Sequence, residues 1–540
     1  MRLMALACVA MSSLIAAESN TVLIQNVTIH SMTSADIQNG SVLLIDGKIA
    51  EVGTGVQSRG DARVIDGHGL QLYPGLINAA TNVGLSEISS LRDSVDLDEI
   101  GLFNPELRAE VAFNPSSEHI DVTRASGITT VISLPGSGGR GGFGGGSGNV
   151  ITGQGALMHL EGSTWEEMAV KRSAVMDMLF PEIATVPRQF PAAPAMAAVP
   201  GGQPRTYSEA EKQYKQRLVE VGEFFEQARR YEKAKAAGGA DFRSDIRLEA
   251  MLPVIDGKLP LLVRAERERM IKDAVEFADK QKVKIIIADP REIGSTGPLL
   301  KARNIPVVLG KTFQLPMRDD DPYDAPYTLP NEFFKAGVKI CFGTFDVEFA
   351  RNVPFEAAQA VAFGLPHDEA LKGLTINSAQ IFGVADQLGS IEKGKLADLI
   401  LTDGDPMEAK TNIKGMFIGG REVSLESRHT REFEKWRGGE GGPRLNGSSR
   451  ISGFIRAHSP GDGGRSRAHH LGAPGQDRGS FETHVGRFGA KAPKRNAVRF
   501  HESYLLGARL FNEGGRAQQS KTRSLSYYAT GRGVAPKVSR

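Results

Sequence analysis

The stretch Leu72-Tyr73-Pro74-Gly75-Leu76-Ile77-Asn78-Ala79-Ala80-Thr81-Asn82 decides how the chain is read, because its two sides have different textures. Before it the pattern is β. A strand begins at 21–24, the runs 41–45 and 48–52 flank Asp46-Gly47, and a short strand follows at 62–65. Asp-Gly tolerates positive φ at both turn positions and marks a hairpin. After it, amphipathic helices such as 267–280 and 356–363 alternate with short apolar strands at 129–132, 261–263, 284–287, 306–309 and 338–342. That alternation predicts a parallel sheet, and about 300 residues suffice for a (β/α)8 barrel. Near residue 391 the β texture returns, with 397–401 and then 413–418 and 422–423 around Gly419-Gly420. The predicted fold class is therefore α/β: a (β/α)8 TIM-like barrel at 73–390 and a small composite β-sandwich domain built from both ends, 18–72 and 391–426.

Three further segments are set apart. Met1-Arg2, an apolar run to Ala16 and the small residues before Glu18 read as a signal peptide at 1–17, so the chain is expected to be exported, periplasmic or secreted, with no membrane association after cleavage. Cys8 would leave with it, and Cys341 alone forms no internal disulfide. A Pro/Ala-rich run and a highly charged helix suggest a helical insertion at about 165–260, an excursion from one barrel loop, with a substrate lid as the alternative. The chain has a net charge of +2. It divides into a body of net −11 and, from 437 to 540, a Gly/Arg-rich tail of net +13, obtained by counting charges in the sequence. The tail lacks hydrophobic periodicity and is read as disordered, or as a frameshift or read-through product. Its charge alone specifies no nucleic-acid partner. The glycine run 136–148 follows a strand and lacks the Gly-Lys-Ser/Thr ending of a phosphate loop, so it reads as a loop of the barrel mouth. Glu166-Glu167 suits a helix start, where acids favour the dipole.

The runs 40–53, Leu72 to Ala79, and 370–405 with Thr375-Ile376-Asn377-Ser378-Ala379 together resemble the amidohydrolase superfamily, in its imidazolonepropionase-like branch. The resemblance implies a barrel with a composite β-domain. It also implies hydrolysis of non-peptide, cyclic-amide-type C–N bonds by one or two divalent metals such as zinc, which acidify a bound water. The ligand motifs depart from that pattern. Asn78-Ala79-Ala80-Thr81-Asn82 stands where the family has Asp-Ala-His-x-His. Val263-Arg264-Ala265 stands for Val-His-Ala, and an arginine cannot bind a metal. Asp289 follows the strand that the next histidine would close. The last strand reads Gly343-Thr344-Phe345-Asp346, with its Asp one residue late, which reverses its face unless the strand end bulges. The body's remaining histidines, His30, His68, His119, His159, His367 and His429, form no HxH or HxxxH pair and read as structural or surface groups.

No metal cofactor is therefore expected. Ala80, Asn82, Arg264, Asp289 and Phe345-Asp346 should converge at the barrel mouth, with Arg264 paired to Asp289 or Asp346 in the space of the ion. Asp346, Asp289 and Arg264 are the candidates for base and electrostatic stabiliser. Asn82, Asn78 and Thr344 are the candidates for substrate contact. Two functions remain open: a hydrolase with a remodelled site, or a catalytically inactive relative that binds a small molecule or acts as a partner subunit in a homo- or hetero-oligomer.

Overall fold

The computed structural model describes residues 21–437 apart from 61, 98, 137–148, 186–204 and 240–241. The expected signal peptide at 1–17, the glycine loop beyond Gly136, the Pro/Ala-rich run and the tail beyond Arg437 lie outside the described residues.

The N-terminal strands are β1 (Val22–Ile29), β2 (Ile37–Ile45), β3 (Lys48–Gly53), β4 (Arg63–Asp66) and β5 (Gln71–Pro74). The barrel strands are β6 (Leu76–Thr81), β7 (Ile128–Ser133), β8 (Ile151–His159), β9 (Ala169–Leu179), β10 (Leu261–Arg264), β11 (Ile285–Ala288), β12 (Val307–Leu309) and β13 (Ile340–Phe342). The chain returns to the first sheet with β14 (Leu399–Thr402), β15 (Ile413–Ile418) and β16 (Arg421–Glu422). Hydrogen bonds run continuously through that sheet in the order β16-β15-β14-β5-β1-β2-β3, with β4 beside β1. The join between the two chain ends is the antiparallel pair β5–β14, where Tyr73 faces Ile400. Asp46 and Gly47 both take positive φ at the tip of the β2–β3 hairpin, as their composition requires. Val22, Ile24, Val42, Leu44, Leu399 and Phe417 belong to a core of this domain's own.

The second sheet has the order β13-β12-β11-β10-β9-β8-β7-β6. Alternate residues of its strands separate into two apolar clusters, as the period of two demands. Ile77, Ile132, Leu157, Val175, Leu262, Ile286, Val308 and Cys341 fill the barrel interior. Leu76, Val131, Val263, Ile287 and Val307 face outward, clustered with helix residues such as Phe225, Ile271 and Phe333. The two ends of the sheet meet through backbone bonds past β13, where Thr344 and Phe345 both donate to Ala80 O, at 2.9 and 2.8 Å.

Two expectations need correction. The barrel sheet is not wholly parallel, because β8 runs antiparallel to both β7 and β9. The helical excursion also begins after Leu179 rather than at 165, since 169–179 is a barrel strand. Gly153 and Gly155 in β8, and Lys171 and Arg172 in β9, dilute the apolar pattern that marks a buried strand. The excursion's long helix, Tyr207–Ala237, starts in a capping box of Thr206 and Glu209. It packs on the outer barrel helix Glu268–Gln281, with Phe225 edge-on to Phe277 at 5.3 Å. It is thus a buttress on the barrel's outside wall, not a lid.

Gly343 is where the ends of the barrel sheet touch. A Cβ there would lie 2.7 Å from Ala80 Cβ and 2.8 Å from Ala80 N. Gly343→Ala should destabilise the protein by about 1–3 kcal/mol through overpacking, read as a lower urea midpoint.

Candidate functional site

The inner face of the barrel changes from apolar to charged at the strand C-termini. Leu262 of β10 lies in register with Asp177 of β9, and Arg264 is two residues further along the same face. At about 3.3 Å per residue, that offset is within an arginine's reach. Arg264 Nε donates to Asp177 Oδ1 and Nη2 to Oδ2, both at 3.0 Å. Thr152 of β8 adds a third hydrogen bond to Asp177 Oδ2, at 2.6 Å. Arg264 Nη2 also reaches Pro135 O at 3.3 Å, and the guanidinium stands 5.4 Å from the centre of the Phe345 ring. Both partners are buried, Asp177 completely. Burial pushes the Asp177 carboxyl above its ordinary range, while Arg264 and Thr152 pull it back down. Among the described residues, Arg264 Nη1 is buried without a hydrogen-bond partner.

Arg264 therefore does not pair with Asp289 or Asp346, as the sequence suggested. Its partner is Asp177, which sequence reasoning missed because β9 was assigned to the helical insertion. The signal available was an aspartate inside the apolar run 174–179. A lone acid in such a run requires a buried cation.

The other predicted residues reach the mouth in different roles. Asn78 is fully buried. Its Nδ2 donates to Thr344 Oγ1 at 3.0 Å and to Ala350 O at 3.1 Å, while its Oδ1 accepts from Thr344 N at 3.2 Å. Asn78 and Thr344 thus use their polar atoms to fasten the first strand to the end of the last. Asn82 Nδ2 donates to Leu134 O at 2.9 Å and holds the chain after β7. Asp346 points to Lys311, with Nζ–Oδ2 at 2.5 Å, and accepts from Phe349 N at 3.0 Å. Phe345 takes φ +49, a left-handed conformation that is costly for a bulky residue. This irregular step separates the last strand from Asp346. Lys311 is positioned from behind, because Glu356 accepts from the amides of Thr312 and Phe313, at 2.5 and 2.8 Å.

Asp289 follows β11 with φ +50, and Gly310 leaves the space its carboxyl fills, since a Cβ there would lie 1.9 Å from Asp289 Oδ1. Burial, then the neighbouring Glu266, raises the Asp289 carboxyl to about 7, against the pull of Arg291, Arg264 and Lys311. A carboxyl titrating near neutrality in a barrel mouth marks a functional-site candidate.

The donor set does not match the imidazole ligands of a zinc site. Ala80 offers no lone pair, Asn82 offers only an amide oxygen, which suits zinc poorly, and the Arg264 guanidinium stands beside Asp177 as a fixed cation. Among the described residues no three His, Cys, Asp or Glu side chains gather as a metal requires. Five of the six described histidines bond elsewhere: His30 to Asp36, His119 to Glu87 O, His159 to Asp398, His367 to Asp405 and His429 to Arg351.

Comparison with known proteins places this geometry. A model described as the amidohydrolase family matches residues 331–423. The crystal structure of an amidohydrolase from Thermotoga maritima superposes with a TM-score of 0.62 at 26% identity, covering 75% of this chain and 99% of that one. The chain resembles the amidohydrolase superfamily in sequence and in fold. Within it the imidazolonepropionases are among the similar curated proteins. That of Sphingopyxis alaskensis is 48% identical over 50 residues, 9% of this chain, and that of Shewanella baltica 30% identical over 131 residues, 24% of this chain. These matches span only 12% and 28% of the relatives' own lengths.

Two predictions follow from the buried charges of this amidohydrolase relative. Asp177→Ala strands Arg264 and should cost about 3–5 kcal/mol in urea unfolding, with Asp177→Asn losing less because it keeps the shape. The Asp289 carboxyl has a folded value of about 7 against an ordinary 3.8. The folded state therefore binds the extra proton between those values, and stability falls as pH rises through that window. Asp289→Asn should be more stable than the wild type above pH ~7, with the gain gone below pH ~4, measured by unfolding across pH.

Proposed function

We propose that this chain is an amidohydrolase relative that has given up metal-dependent hydrolysis and works as a binding subunit. Its barrel mouth would be a charge-compensated, metal-free site for a small molecule or a partner chain. The observation that carries this reading is the buried Arg264–Asp177 ion pair with its Thr152 hydrogen bond. A fixed guanidinium occupies the strand end where the family motif has a histidine, and it repels a metal dication that a neutral imidazole would bind. The N-terminal leader reading places that role in the periplasm or outside the cell.

A second reading rests on Asp289. A carboxyl that burial and the neighbouring Glu266 raise to about 7 could move a proton at neutral pH without a metal. It predicts a slow hydrolysis of cyclic amides that Asp289→Asn abolishes and chelators leave untouched.

Zinc content of the purified mature protein after dialysis tests the first reading. The expected result is far less than one equivalent. The Ala80→His/Asn82→His variant should also fail to hold zinc tightly, because Arg264 remains. One tightly held equivalent in the unmodified protein would return the chain to the metal-dependent hydrolases.

A further inference from the structure

The strand that joins the two chain ends, β14, is flanked by Asp398 immediately before it and Asp405 three residues after it, and each of these aspartates pairs with a histidine from the barrel. At the N-terminal side, Asp398 Oδ2 meets His159 Nε2 at 2.7 Å, while Oδ1 accepts from Gly419 N at 2.7 Å. This pair is buried, with side-chain exposures of 12% and 4%. Beyond the C-terminal side, Asp405 Oδ2 meets His367 Nε2 at 2.5 Å, and this pair is more open, at 46% and 25%. His159 ends barrel strand β8, and His367 opens the helix His367–Gly373. Both imidazoles therefore belong to the barrel and both carboxylates to the β-domain. Beside the second pair lies a cavity of about 510 Å3, lined in part by His30, Asp36, Tyr73, His367 and Leu371.

We propose that these two pairs are a fixed pivot and a proton-operated latch: the His159–Asp398 pair holds the β-domain on the barrel, and loss of a proton from His367 releases the other side of the seam and opens the adjoining cavity. The latch geometry requires a proton on His367 for full closure. Nε2 faces Asp405, and Nδ1 faces a second carboxylate, Asp368 Oδ1, at 3.4 Å. Hydrogen bonding to Asp405 raises His367 above the ordinary imidazole value, with a smaller contribution from Asp368. The charged and titratable groups across the cavity are His30, Asp36, Tyr73 and Lys372. His30 is paired with Asp36 at 2.8 Å, and Lys372 with Glu369 on its own helix at 2.9 Å. The Tyr73 phenol is pushed up by burial and by Asp405 and Asp36, so it stays protonated while His367 titrates. Because the folded value of His367 is raised, its contribution is complete below the ordinary imidazole range and lost as pH rises through the folded value. The latch is closed in acid and open in alkali.

Amide hydrogen exchange of the full chain, corrected for the intrinsic pH dependence of exchange, reads the seam directly. In the wild type, protection at 403–407 and at 367–372 should be lost as pH rises from 6 to 9, while protection at Gly419, beside the pivot, stays constant. His367→Gln should show low, pH-independent protection at the latch, and Asp405→Asn the same by removing the other partner. Equal pH dependence in the wild type and both variants, or a wild-type latch whose protection does not change, would overturn the proposal.

Discussion

The buried ion pair of Arg264 and Asp177 is the constraint around which the barrel mouth is arranged. A lone charge cannot stay inside a barrel whose lower layers are Leu262, Ile286, Val308 and Cys341. The two charges must therefore satisfy each other, and the carboxylate's remaining capacity must be met locally. Thr152 meets it, and it can do so because β8 was placed antiparallel beside β9, with Gly153 opposite Asp177. The irregularity of the sheet and the chemistry of the mouth are in this sense one feature. Gly136 belongs to the same arrangement, since a Cβ there would come within 3.1 Å of Thr152 and of Asp177 Oδ2.

A second arrangement fixes the opposite side of the mouth. Asn78, Thr81 and Ala80 receive or make the bonds that bind the segment after β13, including Thr81 Oγ1 to Asp346 O at 2.7 Å. That segment carries Phe345 toward the guanidinium and Asp346 toward Lys311. Glu356 grips the chain just past Lys311, so the lysine arrives from a loop whose amides are already bonded. The Asp177 and Asp346 carboxylates are each supported by a neutral hydrogen bond beside their cation, from Thr152 and from Phe349 N, as a functional constellation or a tightly plugged barrel equally needs.

Much of the fold is legible in the sequence, because both ends alternate with period two and the middle switches between apolar strands and amphipathic helices. Asp46-Gly47 and Gly419-Gly420 marked real hairpins for a conformational reason. The strands β8 and β9 were not legible, since glycines in one and a charged start in the other hide the apolar pattern behind tertiary packing. That omission removed Asp177 from view, and with it the true partner of Arg264. For Asn78 and Thr344 the sequence located the residues at the strand ends but not the direction of their bonds, which depends on how β13 closes against β6. Asp289 and Asp346 were found as acids at strand ends. Their separate environments, one over Gly310 with no lysine bond and one held by Lys311, follow only from three-dimensional placement.

The packing is close at the positions where the sequence departs from the family's ligand pattern. Ala80 lies at zero exposure against Gly343, and its carbonyl receives two backbone amides from the chain beyond. A Cβ on Gly343 would lie 2.7 Å from Ala80 Cβ, so the two backbones are as close as these small residues allow, with no side chain to yield on Gly343. Moving it would loosen the bonds that seat Phe345 in its left-handed conformation, and Phe345 is what covers the Arg264 guanidinium. The substitutions at 80 and 264 and the shift of the last aspartate therefore support one another. A small residue at 80 lets the last segment approach, the approach carries Phe345 inward, and the aromatic face shields an ion pair that needs no metal to balance its charge. The mouth is thus a set of mutually supporting contacts, in which a change at one position bears on the others.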